Sequence, residues 1–255
     1  MYLFLVCSNA ILQLTYKIWN ESFGMYPLPI VKRGKQLWDA IRNWLAVNFP
    51  EANGTLRKGA SEAELRQVEE NLGVRLPIAT KVLYRLCDGQ NTVAHDTAEH
   101  KRLAPLGIIG GYEFYDHLVN VHLLPLSHIV EETEVFARQI GLSFRSKYII
   151  VAASYYYEKW FFLNCANGQL YVGTRHLLSD NEMMPCVPPA LLKPCPDVNN
   201  GAPQDALLLW LEEHCRRLQS GMIRTRICRK MRMISLYPEA SPACSVAITN
   251  GVQVL

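Results

Sequence analysis

The clearest pattern of apolar and polar residues lies in residues 61–90, where two short amphipathic helices are predicted. Ser61 and Glu64 have the spacing of a capping box, in which each side chain accepts a hydrogen bond from the other residue's backbone N–H. An apolar face follows, and Gly73 stands where a left-handed residue commonly ends a helix. The apolar face of this first helix consists of Leu65, Val68 and Leu72.

The second helix of this segment is predicted to begin at Pro77. Proline suits the first position of a helix because the backbone N–H that it lacks would have no helical acceptor there. Ile78, Val82 and Leu86 recur on one side of the helix, and Asp88-Gly89 is expected to stop it.

Four further helices are predicted from apolar residues at helical spacing. They are expected at residues 12–23, 35–49, 127–140 and 205–221. Ser127 is predicted to cap the third, because its side-chain oxygen can accept a hydrogen bond from a first-turn N–H group, and Asp205 is predicted to start the fourth. The expected inward residues are Leu37, Ile41, Trp44, Leu45 and Phe49, then Ile129, Val130, Val135 and Phe136, then Leu208, Leu211, Cys215 and Leu218.

Short apolar and aromatic runs predict an antiparallel sheet in the middle of the chain. Residues 148–153, 155–164 and 168–171 have the composition of three consecutive strands. The Gly-Gly pair at 110–111 predicts a turn between two earlier strands. The expected fold class is therefore α+β, with a mixed or antiparallel sheet covered by helices.

The aromatic strand at 155–164 carries large side chains on both faces, because side chains alternate along a strand. Two interpretations stay open. Both faces pack against neighbouring segments, or one face is a partner-binding patch, where Tyr and Trp are typical. For the second interpretation we select Tyr155, Tyr157 and Trp160 as candidate partner-binding residues.

Composition and charge narrow the classes of partner. The 255 residues are 49% apolar and carry a net charge of +3, too small by itself to imply a polyanionic partner. Eight cysteines are spread without a C-x-x-C pair, which favours reduced thiols in a cytoplasmic or nuclear protein. The apolar first fourteen residues lack a basic region and are too few to cross a bilayer, so no membrane partner is expected.

No pattern in the sequence predicts catalysis. His95, Asp96 and His100 lie in a polar loop that fixes no ligand spacing, so no metal ion is expected there. The Gly-Gly pair is not followed by the Gly-Lys-Ser/Thr of a phosphate loop. We therefore expect no enzyme, with neither catalytic residues nor a cofactor.

The 61–90 segment combines several motifs, which are Ser61-x-x-Glu64, Glu69, Leu72-Gly73, Leu76-Pro77, Leu83-Tyr84 and Asp88-Gly89-Gln90. With these motifs the segment resembles the opening of a SUKH domain, the superfamily of fungal cell-wall-assembly regulators and many bacterial toxin-immunity proteins. The resemblance implies a SUKH-like domain over residues 53–221, closed by the helix predicted at 205.

The flanking segments carry further motifs in a fixed order. They are Tyr16-Lys17-x-Trp19, Phe23-Gly24-Met25-Tyr26-Pro27, Val31-Lys32-Arg33 and Val47-Asn48-Phe49-Pro50-Glu51, with Ile234-Ser-Leu-Tyr-Pro-Glu239 and Cys244-Ser-x-Ala-x-Thr-Asn-Gly251 after them. In these motifs the segments resemble plant F-box proteins that also carry an ApaG domain. The resemblance implies that residues 1–52 are a helical linker after a missing or degraded F-box, and that residues 222–255 are the first strands of a truncated β-sandwich.

This resemblance implies a non-catalytic interaction module, similar to the substrate-receptor subunit of a Skp–cullin–F-box ubiquitin ligase. Its partner would be a protein or ubiquitination substrate, with a Skp-type adaptor only if an F-box is present. Fifteen residues precede Tyr16, fewer than the roughly forty that a small helical bundle needs. Adaptor binding is therefore expected to fail for this chain.

The alternative function is nucleic-acid binding through the basic segment 216–232. Seven cationic side chains lie there, and clustered arginines contact phosphates. The near-neutral total charge disfavours this alternative, so nucleic acid is not the expected partner.

Overall fold

The computed structural model describes residues 23–91, 110–114, 117–140, 147–154, 158–174, 176–187, 205–220, 224–228 and 231–235. Its helices are α1 (Leu28–Asn48), α2 (Pro50–Thr55), α3 (Glu62–Leu72), α4 (Ile78–Leu86), α5 (Leu126–Ile140) and α6 (Ala206–Gln219), with a 3-10 turn at Asp180–Glu182. Its strands are β1 (Gly110–Phe114), β2 (His117–Leu123), β3 (Tyr148–Ser154), β4 (Lys159–Asn164), β5 (Leu170–Thr174), β6 (Met184–Pro185), β7 (Arg224–Cys228) and β8 (Met231–Ser235).

Strands β1 to β6 form one antiparallel sheet in sequence order, while β7 and β8 pair as a separate hairpin. The α+β class and the antiparallel meander are confirmed. The helix predicted at residues 12–23 and the loop with His95, Asp96 and His100 lie almost entirely outside the described residues.

The turn predicted at Gly110-Gly111 is wrong. Both glycines lie inside β1, where they pair with Val121 and Asn120 of β2. The strand ends at Phe114 and its partner begins at His117, so the reversal comes later in the sequence. In the described sheet β1 is an edge strand with one neighbouring strand. The missing side chain of a glycine therefore removes fewer packing contacts there than it would in a central strand.

Helix α3 has the local chemistry that its sequence predicts. Glu64 N donates to Ser61 Oγ at 3.2 Å, and Ser61 N donates to Glu64 Oε2 at 2.6 Å. Gly73 ends the helix with φ 65°, in the left-handed region. The capping box and the glycine end are confirmed.

Helix α4 is rotated relative to the prediction. Pro77 is its N-cap rather than its first residue, and Ile78 is exposed, whereas Val82 and Leu83 are buried. The reason is tertiary, because α1 packs against α4 and the Trp38 indole donates to the Leu83 carbonyl oxygen at 3.2 Å. Apolar spacing within α4 does not specify this contact.

Helix α1 is longer than predicted and belongs to the main core. It begins at Leu28, and its largest buried side chain is Trp38, which the sequence pattern missed. Arg33 makes a two-pronged ion pair with Glu212 of α6, through bonds of 2.9 and 2.7 Å. A boundary at residue 52 therefore separates in sequence two segments that pack together in space.

Helix α5 is capped from outside its own sequence. Ser127 was the predicted cap, but the helix begins at Leu126, whose N–H donates to Asp88 Oδ1 at 2.8 Å. Val135 is exposed instead of inward, and the buried Thr133 hydroxyl accepts from Ile150 N at 2.9 Å. The Asp88 carboxylate thus joins the helix pair α3–α4 to the helix that follows β2.

Helix α6 closes the core as predicted. Asp205 accepts a hydrogen bond from Leu207 N at 2.9 Å, and the four residues of the predicted stripe are all buried. The stripe consists of Leu208, Leu211, Cys215 and Leu218.

We predict that Asp88→Ala lowers the free energy of unfolding by about 2–4 kcal/mol, because a buried N–H and a partly buried cation lose their acceptor. The matched control is Asp39→Ala, which removes the exposed pair with Lys35 and should change stability by less than about 0.5 kcal/mol. Urea denaturation measures both values. Equal losses in the two variants would contradict the role given to Asp88.

We also predict that His214 makes stability fall in mild acid. Burial, with a smaller effect from Arg217, lowers the pKa of His214 from 6.5 to about 3. Between these two pKa values the unfolded chain binds a proton at His214 and the folded chain does not. Stability is therefore lost as the pH falls below 6.5. The expected loss between pH 8 and pH 5 is about 2 kcal/mol.

The measurement is the free energy of unfolding of the parent and of His214→Phe at both pH values. The loss between pH 8 and pH 5 should be smaller in His214→Phe by the contribution of the histidine. His176→Gln, which changes an exposed histidine, is the control and should keep the parent's pH dependence. An unchanged pH dependence in His214→Phe would count against the prediction.

Candidate partner-binding cleft

A cleft of about 630 Å³ opens beside the C-terminal end of α3. One wall is the last two turns of α3 and the residues Val74 and Arg75 that follow it. The other wall is the turn between β4 and β5, with Cys165 and Ala166. The volume lies within the range of ligand-binding clefts in proteins.

The helix side of the cleft is held by the Glu69 carboxylate. It accepts from the backbone N–H of Leu76 at 2.8 Å and from the Lys81 ammonium at 2.9 Å. Val74 N also donates to the Glu69 carbonyl oxygen at 3.1 Å. These bonds fix the path of the chain after Gly73, so the position of Arg75 is determined by α3 and α4 together.

The turn side of the cleft is equally well bonded. Ala166 N donates to Asn164 Oδ1 at 2.9 Å, an Asx-type bond that favours turns, and Gly168 adopts φ 72°. Gly168 N donates to the Asn164 carbonyl at 2.8 Å, and Cys165 N to the Lys147 carbonyl at 2.8 Å. Both walls are thus formed before any partner arrives.

The charged rim of the cleft consists of Arg66, Glu70 and Arg75, all exposed. Within the part of the chain that the structure describes, neither arginine forms an ion pair. The Glu69 charge is balanced by Lys81. The rim therefore has two guanidinium groups and one carboxylate facing solvent.

The chemistry of the cleft suits binding better than catalysis. Burial, and to a smaller degree Asp205 and Glu69, raises the pKa of the Cys165 thiol to about 12, so it stays protonated at neutral pH. The thiolate is the nucleophilic form of cysteine. Among the described residues no group of histidine, cysteine or carboxylate side chains has the geometry to hold a metal ion.

The three residues predicted as partner contacts do not line this cleft. Tyr155 and Tyr157 lie outside the described residues, and their role stays a prediction. Trp160 is 6% exposed, with its ring centroid 5.7 Å from that of Phe136 in α5. Burial favours the packing interpretation over the binding interpretation for this tryptophan.

The opposite face of β4 is covered as well. Phe161 points the other way from Trp160, and its ring centroid lies 5.3 Å from that of Trp210 in α6. Both faces of the aromatic strand thus meet helices, as the first of the two interpretations requires.

The cleft was missed because it joins residues about ninety positions apart, Arg75 and Cys165. Sequence spacing marks Gly73 as a helix end and residues 164–168 as a turn. Nothing in that spacing brings the two together.

The basic segment proposed for nucleic acid is partly neutralised. Arg216 and Arg217 both donate to the Glu213 carboxylate, at 2.7 and 2.8 Å. These bonds hold the pKa of Glu213 down to about 2. Two of the seven cations are therefore already paired within α6.

Comparison with known proteins identifies relatives for nearly the whole chain. It is 48% identical over 241 residues to the F-box protein SKIP16 of Arabidopsis thaliana, covering 94% of this chain and 53% of that protein. The resemblance to plant F-box proteins is confirmed. The chain spans about half the length of this curated relative. No family model matches the chain.

Two yeast relatives cover part of the chain. The KNR4/SMI1 homolog 2 of Debaryomyces hansenii is 30% identical over 116 residues, which is 45% of this chain and 16% of that protein. The KNR4/SMI1 homolog 1 of the same yeast is 33% identical over 54 residues, 21% of this chain and 12% of that protein. These matches agree with the SUKH-like fold.

None of the helices in the described ranges has both the length and the apolar character needed to cross a bilayer.

We predict that Trp160→Ala lowers the free energy of unfolding by about 3–5 kcal/mol, because it empties a packed aromatic site. Urea denaturation gives the loss, and Leu178→Ala, at a residue 81% exposed, is the control with a change within about 0.5 kcal/mol. Partner recovery by the folded fraction should stay unchanged. A small loss of stability with a large loss of partner binding would restore the hot-spot interpretation.

Proposed function

We propose that this chain is the partner-binding part of a substrate-receptor subunit in a Skp–cullin–F-box ubiquitin ligase. The observation that carries the proposal is the 48% identity to the F-box protein SKIP16 over 94% of the chain. Similarity at that level over so long a stretch favours a shared molecular role as well as a shared fold.

The domain organisation that we propose has the SUKH-like domain at residues 53–221 as the binding module. The residues before 53 link it to an F-box, and residues 222–255 begin an ApaG-like β-sandwich. A Skp-type adaptor is the proposed partner of the whole receptor, and a ubiquitination substrate is the proposed partner of the SUKH-like domain.

The receptor would act without catalysis of its own. A substrate receptor works by holding its target next to the ubiquitin-transfer machinery, which raises the effective concentration of the two reacting groups. Such a role needs a binding surface that is already formed before the target arrives. The walls of the cleft, which are held by hydrogen bonds, provide such a surface.

We assign this activity to the cytoplasm or nucleus. In the described ranges the four cysteines are free thiols, Cys87, Cys165, Cys186 and Cys215. Free buried thiols are typical of reducing compartments. Burial raises the pKa of the Cys87 thiol to about 11, which keeps it unreactive.

We predict that this chain competes with full-length SKIP16 for ubiquitination substrates. Proteins crosslinked to the chain in plant extract are identified, purified and offered to a ligase reconstituted with SKIP16. They should be ubiquitinated, and an excess of the 255-residue chain, which is not part of the reconstituted ligase, should slow the reaction because it occupies the same sites on the substrate.

The control is the same concentration of the parent chain after thermal denaturation, which should not slow the reaction because it presents no folded binding surface. Absence of ubiquitination of every crosslinked protein, or equal rates with and without the folded chain, would overturn the proposed function.

A further inference from the structure

The cleft beside α3 carries positive charges that form no ion pair within the described ranges. Arg66 projects from α3, and Arg75 follows the fixed segment after Gly73. Neither pairs with a carboxylate elsewhere in the described ranges, whereas Glu69 is already bound to Lys81. The remaining acid on the rim, Glu70, neutralises one arginine at most. The cleft therefore keeps a net cationic rim.

Three further residues that line the cleft are neutral and only weakly polar. Val74 is buried, Cys165 is half-buried with a neutral thiol, and Ala166 is exposed. Small side chains let the backbone of a ligand come close, and these three residues add no negative charge to repel an acidic one. The polar specificity of the cleft thus comes from its arginines.

The shape of the cleft suits a short extended segment. Its volume of about 630 Å³ holds several residues of a peptide, far less than a folded domain. Because both walls are fixed by backbone hydrogen bonds, little conformational entropy is lost in the receptor on binding.

We propose that this cleft binds an extended acidic segment of the partner protein, with carboxylates paired to Arg66 and Arg75. Guanidinium groups pair with carboxylates through two parallel hydrogen bonds, which gives direction as well as charge. This inference rests on the proposed function, since it names the chemistry of the partner that the SUKH-like domain holds. The pairs are exposed, so binding is modest and weakens as salt rises.

The test uses a fluorescein-labelled peptide, Ala-Glu-Glu-Ala-Glu-Glu-Ala, and its counterpart with glutamine in place of each glutamate. Fluorescence anisotropy with the full chain measures both dissociation constants at low and high ionic strength. The acidic peptide should bind at least about fivefold more tightly, and added salt should remove most of that difference.

The decisive variant is Arg66→Gln/Arg75→Gln, which should weaken binding of the acidic peptide about fivefold. Its matched control is Lys32→Gln/Arg138→Gln, which removes two exposed cations outside the cleft and should bind like the parent. Circular dichroism establishes that both variants are folded. Equal affinity of the two double variants, or no preference for glutamate over glutamine, would overturn the proposal.

A single-stranded oligonucleotide serves as the competing polyanion. If the oligonucleotide bound the parent and lost affinity in the cleft variant while the acidic peptide bound no better than its glutamine counterpart, the cleft would be a phosphate site and the acidic-segment proposal wrong.

The cleft proposal can also be wrong while the proposed function is right, and the ubiquitination assay separates the two cases. If the cleft variant slowed SKIP16-dependent ubiquitination as strongly as the parent, the cleft would not be the binding site, and the proposed receptor function would stand.

Discussion

The structure depends on one junction, where the chain passes from α4 to the sheet at Asp88 and Gly89. The Asp88 carboxylate accepts from Leu126 N and from Arg57 Nε, so one side chain ties three separate segments together. Gly89 lies with φ 69°, and a Cβ there would stand 2.7 Å from the Leu124 carbonyl. Only glycine permits that approach. The Tyr84 hydroxyl adds a bond of 2.9 Å to the same carbonyl.

The junction explains which parts of the fold were predictable from sequence. The capping box at Ser61, the glycine end of α3 and the Asp205 cap are local chemistry, so residue types at fixed spacing suffice. The helix start at Leu126 is different, because its acceptor is Asp88, 38 positions earlier. The exposed Ile78 and the buried Trp38 follow equally from contacts between helices.

The candidate site was harder to predict for the same reason. Large aromatics on an alternating strand suggested a binding patch, but helices cover both faces of β4. Within the described residues, the candidate cleft lies instead at a helix end and a turn, where chain segments distant in sequence meet. Local patterns indicate that such ends exist, and only the folded chain shows which of them are neighbours.

Helix α6 has a consequence for synthesis on the ribosome. Asp205 caps its own helix and also accepts from the buried backbone N–H of Thr80, 125 positions earlier. Until residue 218 has left the exit tunnel, the apolar surface that α6 covers stays open, including Phe161. A nascent chain in that state exposes sheet and aromatic surface, which favours aggregation. Chaperone protection of the emerging chain therefore matters most in the interval after β4 has left the tunnel and before α6 has followed it.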